Sequence, residues 1–390
     1  MKIALVHDYL VQGGGAERVL KAFADTFPEA PIYTLLHDRE LMRGSFDDHT
    51  IITSSLQNLP FAKRRHRNFP ALMPSAIEEF DFSMYDIVLS DSSSFAKGII
   101  TPPQTLHISY VHTPMRYAWD DCQKYTSDFG LPQLIEKAVP FLMNPIRIWD
   151  FASAQRVDRY LANSQFVAKR IKKYYRKDAT VINPPVDIKS FRPKAPVKKQ
   201  EYYLMVGRLI AYKKHDIAIE AFNKLKLPLK IIGRGPELKA LKTKAASNIE
   251  FLERVDDDKL ADYYAQCKAF IFPQEEDFGI VAIEALASGS PLIAYHGGDI
   301  AEHMSQGKQG TFFHQQTPEA LIEAVKRFQK MNFNATEISQ SVEAFDIENF
   351  KRTIKSYVLK CAQEHASSRK EITTRKKENA RKYADSLQQS

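Results

Sequence analysis

Cysteine is scarce in this 390-residue chain: Cys122, Cys267 and Cys361 are odd in number and far apart. Such a set supports neither a disulfide framework nor a zinc cluster, and it suits a reducing compartment. Long apolar runs are also missing. No stretch approaches the eighteen or more residues that a membrane-crossing helix needs. The N-terminal MKIALVHDYL has one run of four apolar residues before His7 and Asp8, which reads as a buried strand and not as a signal peptide. There is no internal repeat, no low-complexity segment apart from a charged tail, and no nucleic-acid-binding motif to accompany the basic charge. No Asp-x-Asp pair stands at a strand end. Asp256-Asp257-Asp258 opens a helix and reads as its cap, so a metal site is not expected.

What the chain does have is enough apolar content, 44%, for packed cores, and a length that suggests two domains of just under two hundred residues each. Its net charge of +8 is unevenly placed. From His365 to the end, seven Lys and Arg face three acidic residues, so half of the excess lies in the last 26 residues. A second cluster, Lys63, Arg64, Arg65, His66 and Arg67, is bracketed by Phe61 on one side and by Phe69, Leu72 and Met73 on the other. Basic residues interleaved with apolar ones attract anionic lipid headgroups while the apolar side chains enter the interface. A solvated surface is the plain alternative, and nucleic acid is disfavoured as a partner.

Strand-like and helix-like segments alternate twice over. In the first half, strands are expected at residues 2–6, 31–35, 86–90, 106–111 and 159–162, with helices such as 16–27 and 165–175; in the second, at 202–206, 229–232, 250–252, 269–273 and 291–294. This alternation predicts an α/β fold with two parallel sheets covered by helices. A Pro- and Lys-rich stretch over residues 183–199 reads as the linker between them. Ligands of such domains bind at the carboxyl ends of the strands.

Several loops at those ends carry chemistry. In QEEDFGIVAIEALASG (residues 274–289), Glu276 and Glu284 stand eight positions apart around Phe278-Gly279-Ile280. If the helix starts near Gly279, both carboxylates can serve one cleft, gripping vicinal hydroxyls beside a helix N-terminus that favours phosphate. Upstream, a strand ends in Gly207-Arg208-Leu209 with Lys213 five residues after the arginine, two cations suited to a diphosphate. The Gly13-Gly14-Gly15 loop fails as a dinucleotide fingerprint, because Arg18 holds the third glycine position, yet it allows close backbone approach to a ligand. His112 ends a strand in HTPMRYAWD, and Arg116, Tyr117 and Asp120 follow it. Gly233-Arg-Gly-Pro and Val255 close two further loops, for which plain turn chemistry is an equal reading. Taken singly, each motif also has a structural explanation: solvated glutamates, surface cations, a core histidine.

Together and in this order the motifs resemble the retaining glycosyltransferases of family 4: the E-x7-E pair, G-R-L-x-x-x-K-G with Lys214 in place of the last glycine, and GGAERV at the first turn. The HTPMRYAWD, EEDFGI, SQFVA and PSAIEEFDF strings resemble a subgroup that builds bacterial exopolysaccharide and O-antigen repeats, many of its members mannosyltransferases using GDP-mannose. The resemblance covers residues 1 to 365 and implies a GT-B fold of two facing Rossmann-like domains. The acceptor-binding domain would be residues 1–193, the nucleotide-sugar domain 194–346, a helix at 347–365 would cross back to the first domain, and 366–390 would be a basic tail. It further implies His112, Arg208, Lys213 and Glu276 as catalytic residues. Gly14, Gly15, Gly233, Val255, Phe278, Gly279, Ile280 and Glu284 would bind the donor, Arg116, Tyr117 and Asp120 the acceptor, and Lys63, Arg64, Arg65 and Arg67 the membrane. No cofactor or metal is implied beyond the donor itself. The expected partners are a nucleotide-sugar, a lipid-linked saccharide and an anionic membrane, at the inner face of the cell membrane. A sugar-nucleotide hydrolase or epimerase, a phosphorylase, and a silent sugar-nucleotide-binding protein are the alternatives.

Overall fold

The computed structural model describes residues 1–65, 69–120, 133–253 and 255–388, without the side chains of 64, 65, 133–142, 257, 258 and 370–388. The short apolar runs pair into two parallel sheets. The first contains β1 (Ile3–Leu10), β2 (Ile32–His37), β3 (Ile51–Thr53), β4 (Ile87–Ser92), β5 (Leu106–Val111), β6 (Arg159–Ala162) and β7 (Ala179–Val181) in the order β3-β2-β1-β4-β5-β6-β7. Leu5 lies opposite Ile32 on one side of β1, and Ile3 opposite Ile87 on the other. The second contains β8 (Tyr203–Val206), β9 (Leu229–Ile232), β10 (Ile249–Leu252), β11 (Phe270–Phe272), β12 (Leu292–Tyr295) and β13 (Gly310–Phe313) in the order β10-β9-β8-β11-β12-β13.

These orders fix where ligands can bind. The winding direction reverses between β1 and β4 in the first sheet and between β8 and β11 in the second, and the loops leaving neighbouring strands at such a reversal diverge and open a crevice. Both faces of the second sheet are buried, as a parallel sheet requires. Leu204, Phe270, Phe272, Leu292 and Ala294 point into one core. Tyr203, Met205, Ile231, Ile271 and Ile293 point into the other.

The chain forms two compact units, Met1–Tyr110 with Ile148–Tyr160 and Lys351–Ser390, and Val111–Arg147 with Leu161–Phe350. In the first unit, the loop after β4 is held by the Asp8 carboxylate, which accepts the backbone N–H groups of Ser93, Ser94, Phe95 and Ala96 at 2.6–2.9 Å. Lys97 in that loop forms an ion pair with Asp150, both side chains almost fully buried, and donates to the Ser94 carbonyl at 2.8 Å. The last helix, Ile347–Gln388, is much longer than the segment expected at 347–365. Ile354, Val358 and Cys361 form its buried stripe, at the spacing of one helical face. Its Lys351 reaches Asp25 of the Gly15–Thr26 helix at 3.2 Å, so it packs on the first unit as the expected crossover helix does.

Asp256 occupies the N-cap position of the Asp257–Gln266 helix, but its side chain makes no cap hydrogen bond, so the anticipated capping role is not realised. Cys267 and Cys361 are buried free thiols, and Cys122 lies outside the described residues. Among the described residues no helix is long and apolar enough to cross a membrane.

Candidate functional site

The site assembles at the carboxyl ends of β8 and β11, the two strands at the reversal of the second sheet. After β8 the chain turns through Gly207 (φ +154°) and leaves Arg208 exposed, while Leu209 is buried as the anchor of the loop. The loop after β9 crosses it closely: Leu209 N donates to the Arg234 carbonyl at 2.9 Å. A Cβ on Gly233 would stand 1.9 Å from the Gly207 carbonyl oxygen, so only glycine fits there. Lys214 adopts the left-handed conformation (φ 56°, ψ 36°) that the glycine of the family pattern would take. The substitution therefore keeps the turn, at a cost of about 1–2 kcal/mol of backbone strain.

Lys213, just before that turn, places its ammonium against the Glu276 carboxylate and 5.3 Å from the Tyr212 ring centre. Burial, with the nearby positive charges of Arg208 and Arg116, pushes Lys213 down to about 7, while Asp277 acts in the opposite direction. Glu276 lies in the loop after β11, where it also accepts from Gln274 Nε2 at 3.2 Å. Its own carbonyl takes the Asp299 N–H at 3.1 Å. The Ile280–Ala287 helix starts after Gly279 (φ +83°), and Glu284 sits on its second turn. Glu284 is buried, and its carboxylate accepts from the Tyr264 hydroxyl at 3.0 Å. Phe278 points into the core, edge-on to Phe345 at 5.5 Å, so what it presents to a ligand is backbone.

The segment after β5 joins this group. Arg116 lies 3.8 Å from Asp277, and its guanidinium sits over the Tyr212 ring at 5.0 Å. The His112 carbonyl accepts from Asn163 Nδ2 at 2.9 Å, and the His112 ring is half-buried, as is Tyr117. Asp120 is engaged by Arg170 and by the Tyr174 hydroxyl. Arg116, Lys213 and Glu276 are thus brought together, with three residues that sequence reasoning did not single out: Tyr212, Asp277 and Arg170. Asp277 stood inside the EEDFGI string, but nothing in the sequence marked Arg170.

Val255 is half-buried and packs against the core that contains Phe278. Gly14 and Gly15 belong to the other unit, at the start of the Gly15–Thr26 helix. There His7 is buried between Asp91, at 2.9 Å, and Glu17, at 3.8 Å; burial opposes its charge, but the two carboxylates prevail and raise it to about 10. A Cβ on Gly13 would meet nothing within 4 Å, whereas one on Gly14 would stand 2.9 Å from the buried Glu17 Oε2, so of the two only Gly14 is held small by its surroundings. In the same unit Lys63 is exposed; the Arg64 and Arg65 side chains and the whole of Arg67 lie outside what is described. Among the described residues, no group of three or more His, Cys, Asp or Glu is arranged to hold a metal ion.

Two overlapping family models together span residues 13–364: Glycosyltransferase Family 4 matches residues 13–190, and Glycosyl transferases group 1 matches residues 187–364. The chain belongs to glycosyltransferase family 4. It is 28% identical over 220 residues to D-inositol 3-phosphate glycosyltransferase 2 of Catenulispora acidiphila, covering 46% of this chain and 51% of that protein, so the match spans about half of that relative. It is 22% identical over 343 residues to O-antigen chain mannosyltransferase C of Escherichia coli, covering 80% and 84%. The crystal structure of Anabaena Alr3699/HepE in complex with UDP superposes with a TM-score of 0.66 at 17% identity, covering 92% of this chain and all of that one. That likeness shows the fold, GT-B, with two parallel Rossmann-like sheets.

Proposed function

We propose that this family 4 member is a retaining glycosyltransferase that moves a sugar from a nucleotide-sugar to a lipid-linked saccharide. The observation that carries the reading is the contact of Lys213 with Glu276 next to Arg208 and Arg116, because it gathers cations for a diphosphate around a carboxylate for sugar hydroxyls. The difficulty of the reaction is charge separation. As the bond from the anomeric carbon to the diphosphate breaks, negative charge grows on the leaving phosphate, and Arg208 and Lys213 stabilise it. The sugar is left as an oxocarbenium-like species, and the acceptor hydroxyl attacks from the face the phosphate has just left. Its proton passes to the departing phosphate oxygen, and the anomeric configuration is kept. Glu276 orients the donor sugar, Glu284 holds the ribose, and His112 lies beside the transferring sugar.

GDP-mannose is the donor we favour. Its support is the subgroup strings and the similarity to the O-antigen mannosyltransferase. The Anabaena structure holds UDP, so a uridine donor is the competing choice. Incubation with a panel of GDP- and UDP-sugars tests the reading: acceptor-dependent release of nucleotide supports transfer, release without acceptor indicates hydrolysis, and binding without release indicates a silent binder.

The two glutamates should separate in calorimetry. Glu284→Ala is expected to weaken binding of the free nucleoside diphosphate about 10- to 100-fold, the value of hydrogen bonds to a charged group. Glu276→Ala should spare the free nucleotide and impair the intact donor. The reverse order would exchange the roles.

The acceptor of such an enzyme resides at a membrane, and the basic cluster supplies a means of reaching it. Phe61 is 72% exposed and Leu72 46% exposed, flanking Lys63. Each basic residue near an anionic surface contributes about 1 kcal/mol. Neutralising Lys63, Arg64, Arg65 and Arg67 should abolish most sedimentation with anionic vesicles at low salt. It should also lower activity on a lipid-linked acceptor more than on a short soluble one. An intact protein that fails to sediment with such vesicles would end the membrane reading.

A further inference from the structure

Arg170 makes more directed contacts around the site than any role assigned so far requires. It stands on the Gln165–Tyr175 helix with its side chain buried. Its guanidinium donates to Thr113 Oγ1 at 2.7 Å and forms ion pairs with Asp277 and with Asp120. These three partners come from two segments, Thr113 and Asp120 from the stretch after β5 and Asp277 from the loop after β11. Thr113 follows His112, Asp277 follows Glu276, and Asp120 ends the Arg116–Trp119 turn. The start of the same helix is fastened independently: Ser164 Oγ accepts from Val167 N at 3.0 Å, and the neighbouring Asn163 holds the His112 carbonyl.

We propose that Arg170 is a positioning residue that fixes the His112 segment and the Glu276 loop relative to each other, so that donor and acceptor groups meet in reacting geometry. The inference rests on the transferase reading above and adds to it a residue that need touch neither substrate. Arginine suits the task because its planar guanidinium spreads its charge over separate nitrogens: Nη1 donates to Thr113 and Asp277 while Nη2 stands against Asp120. A lysine ammonium is a point charge without that directionality. Asp277 is the other half of the device. It also faces Arg116, so it couples the Glu276 loop to both arginines.

Position without direct contact predicts a divided effect. A shift of about 1 Å between reacting groups costs on the order of 10²-fold in rate. Binding of the free nucleotide, carried by Arg208, Lys213 and Glu284, should be untouched. The experiment uses Arg170→Met, Arg170→Lys and Asp277→Asn in the full chain. Each is assayed for acceptor-dependent nucleotide release, and by calorimetry with the free nucleoside diphosphate of the active donor. The expected result is a kcat lowered about 10²-fold in Arg170→Met and Arg170→Lys alike, with nucleotide affinity unchanged and with Asp277→Asn falling in the same way. Should Arg170→Met fail to fold, Arg170→Lys, which keeps the charge, decides the matter. Wild-type kcat in a folded Arg170 variant would overturn the proposal, as would a loss of nucleotide affinity equal to the loss of kcat. If the wild-type chain itself releases no nucleotide from any donor, the transferase reading fails first and this inference falls with it; active wild type with active variants refutes this inference alone.

Discussion

Replacing Lys213 or Arg208 by alanine should lower kcat by about 10²-fold or more, the loss that follows removal of one preorganised donor to a developing oxyanion. Lys213 is held against Glu276 and beside Tyr212, so on the proposed reading it would need little reorganisation when charge appears on the phosphate. Arg208 is exposed on the same loop. Thermal unfolding of both variants should stay close to wild type, because the loop is anchored by Leu209 and by its backbone bond to Arg234. The pH dependence supplies a second arm. Lys213 is pushed from its ordinary 10.5 to about 7, so its charged form dominates only below that pH. The free enzyme's kcat/KM should therefore fall as pH rises through about 7. The stability contribution runs the other way. Between about 7 and 10.5 the unfolded chain holds this proton and the folded chain does not, so the Lys213 contribution to stability increases with pH across that window. Near-wild-type turnover in both alanine variants would remove the clamp.

The second large effect is on stability. Asp150→Ala should destabilise the unit that contains it by about 3–5 kcal/mol, because it leaves the Lys97 ammonium buried without its counter-ion. The reciprocal Lys97→Met leaves Asp150 in the same position and should cost a similar amount. The double replacement Lys97→Met with Asp150→Leu should recover most of the loss, since a buried ion pair exchanged for apolar side chains of similar volume is often neutral. Urea unfolding checks all three. Additive losses in the double variant would show that the two side chains do not act as a pair.

The central strands were legible because each is a compact apolar run bounded by turn residues, and the observed β5, β6 and β9 coincide with the expected segments. The strands that went unseen, β3, β7 and β13, are all edge strands. β3 and β7 are three residues long and only partly buried, too short for an apolar run of strand length. The loop motifs were legible for a different reason. A strand end, a glycine turn and a helix start fix how far apart two side chains can be in sequence, and Glu276, Glu284, Arg208 and Lys213 obey such local spacing. Arg170 and Asp277 do not. They are 107 residues apart, and Arg170 sits in a helix rich in surface lysines, where one more cation carries no signal. The placement of Phe278 in the core was equally hidden, since a residue beside a glycine hinge can face either side. The arrangement of Arg116 over Tyr212 likewise appears only when the loops after β5 and β8 are seen side by side.

The most direct test of the account is the anomeric configuration of the first product. A donor of known configuration, carbon-labelled at the anomeric position, is turned over on a short soluble acceptor, and the one-bond carbon–hydrogen coupling of the new linkage is read by NMR before any later step. Transfer through Arg208, Lys213 and Glu276 with attack from the face of the leaving phosphate predicts that an α-linked donor yields an α-linked product. A β-linked product from the same donor would contradict it.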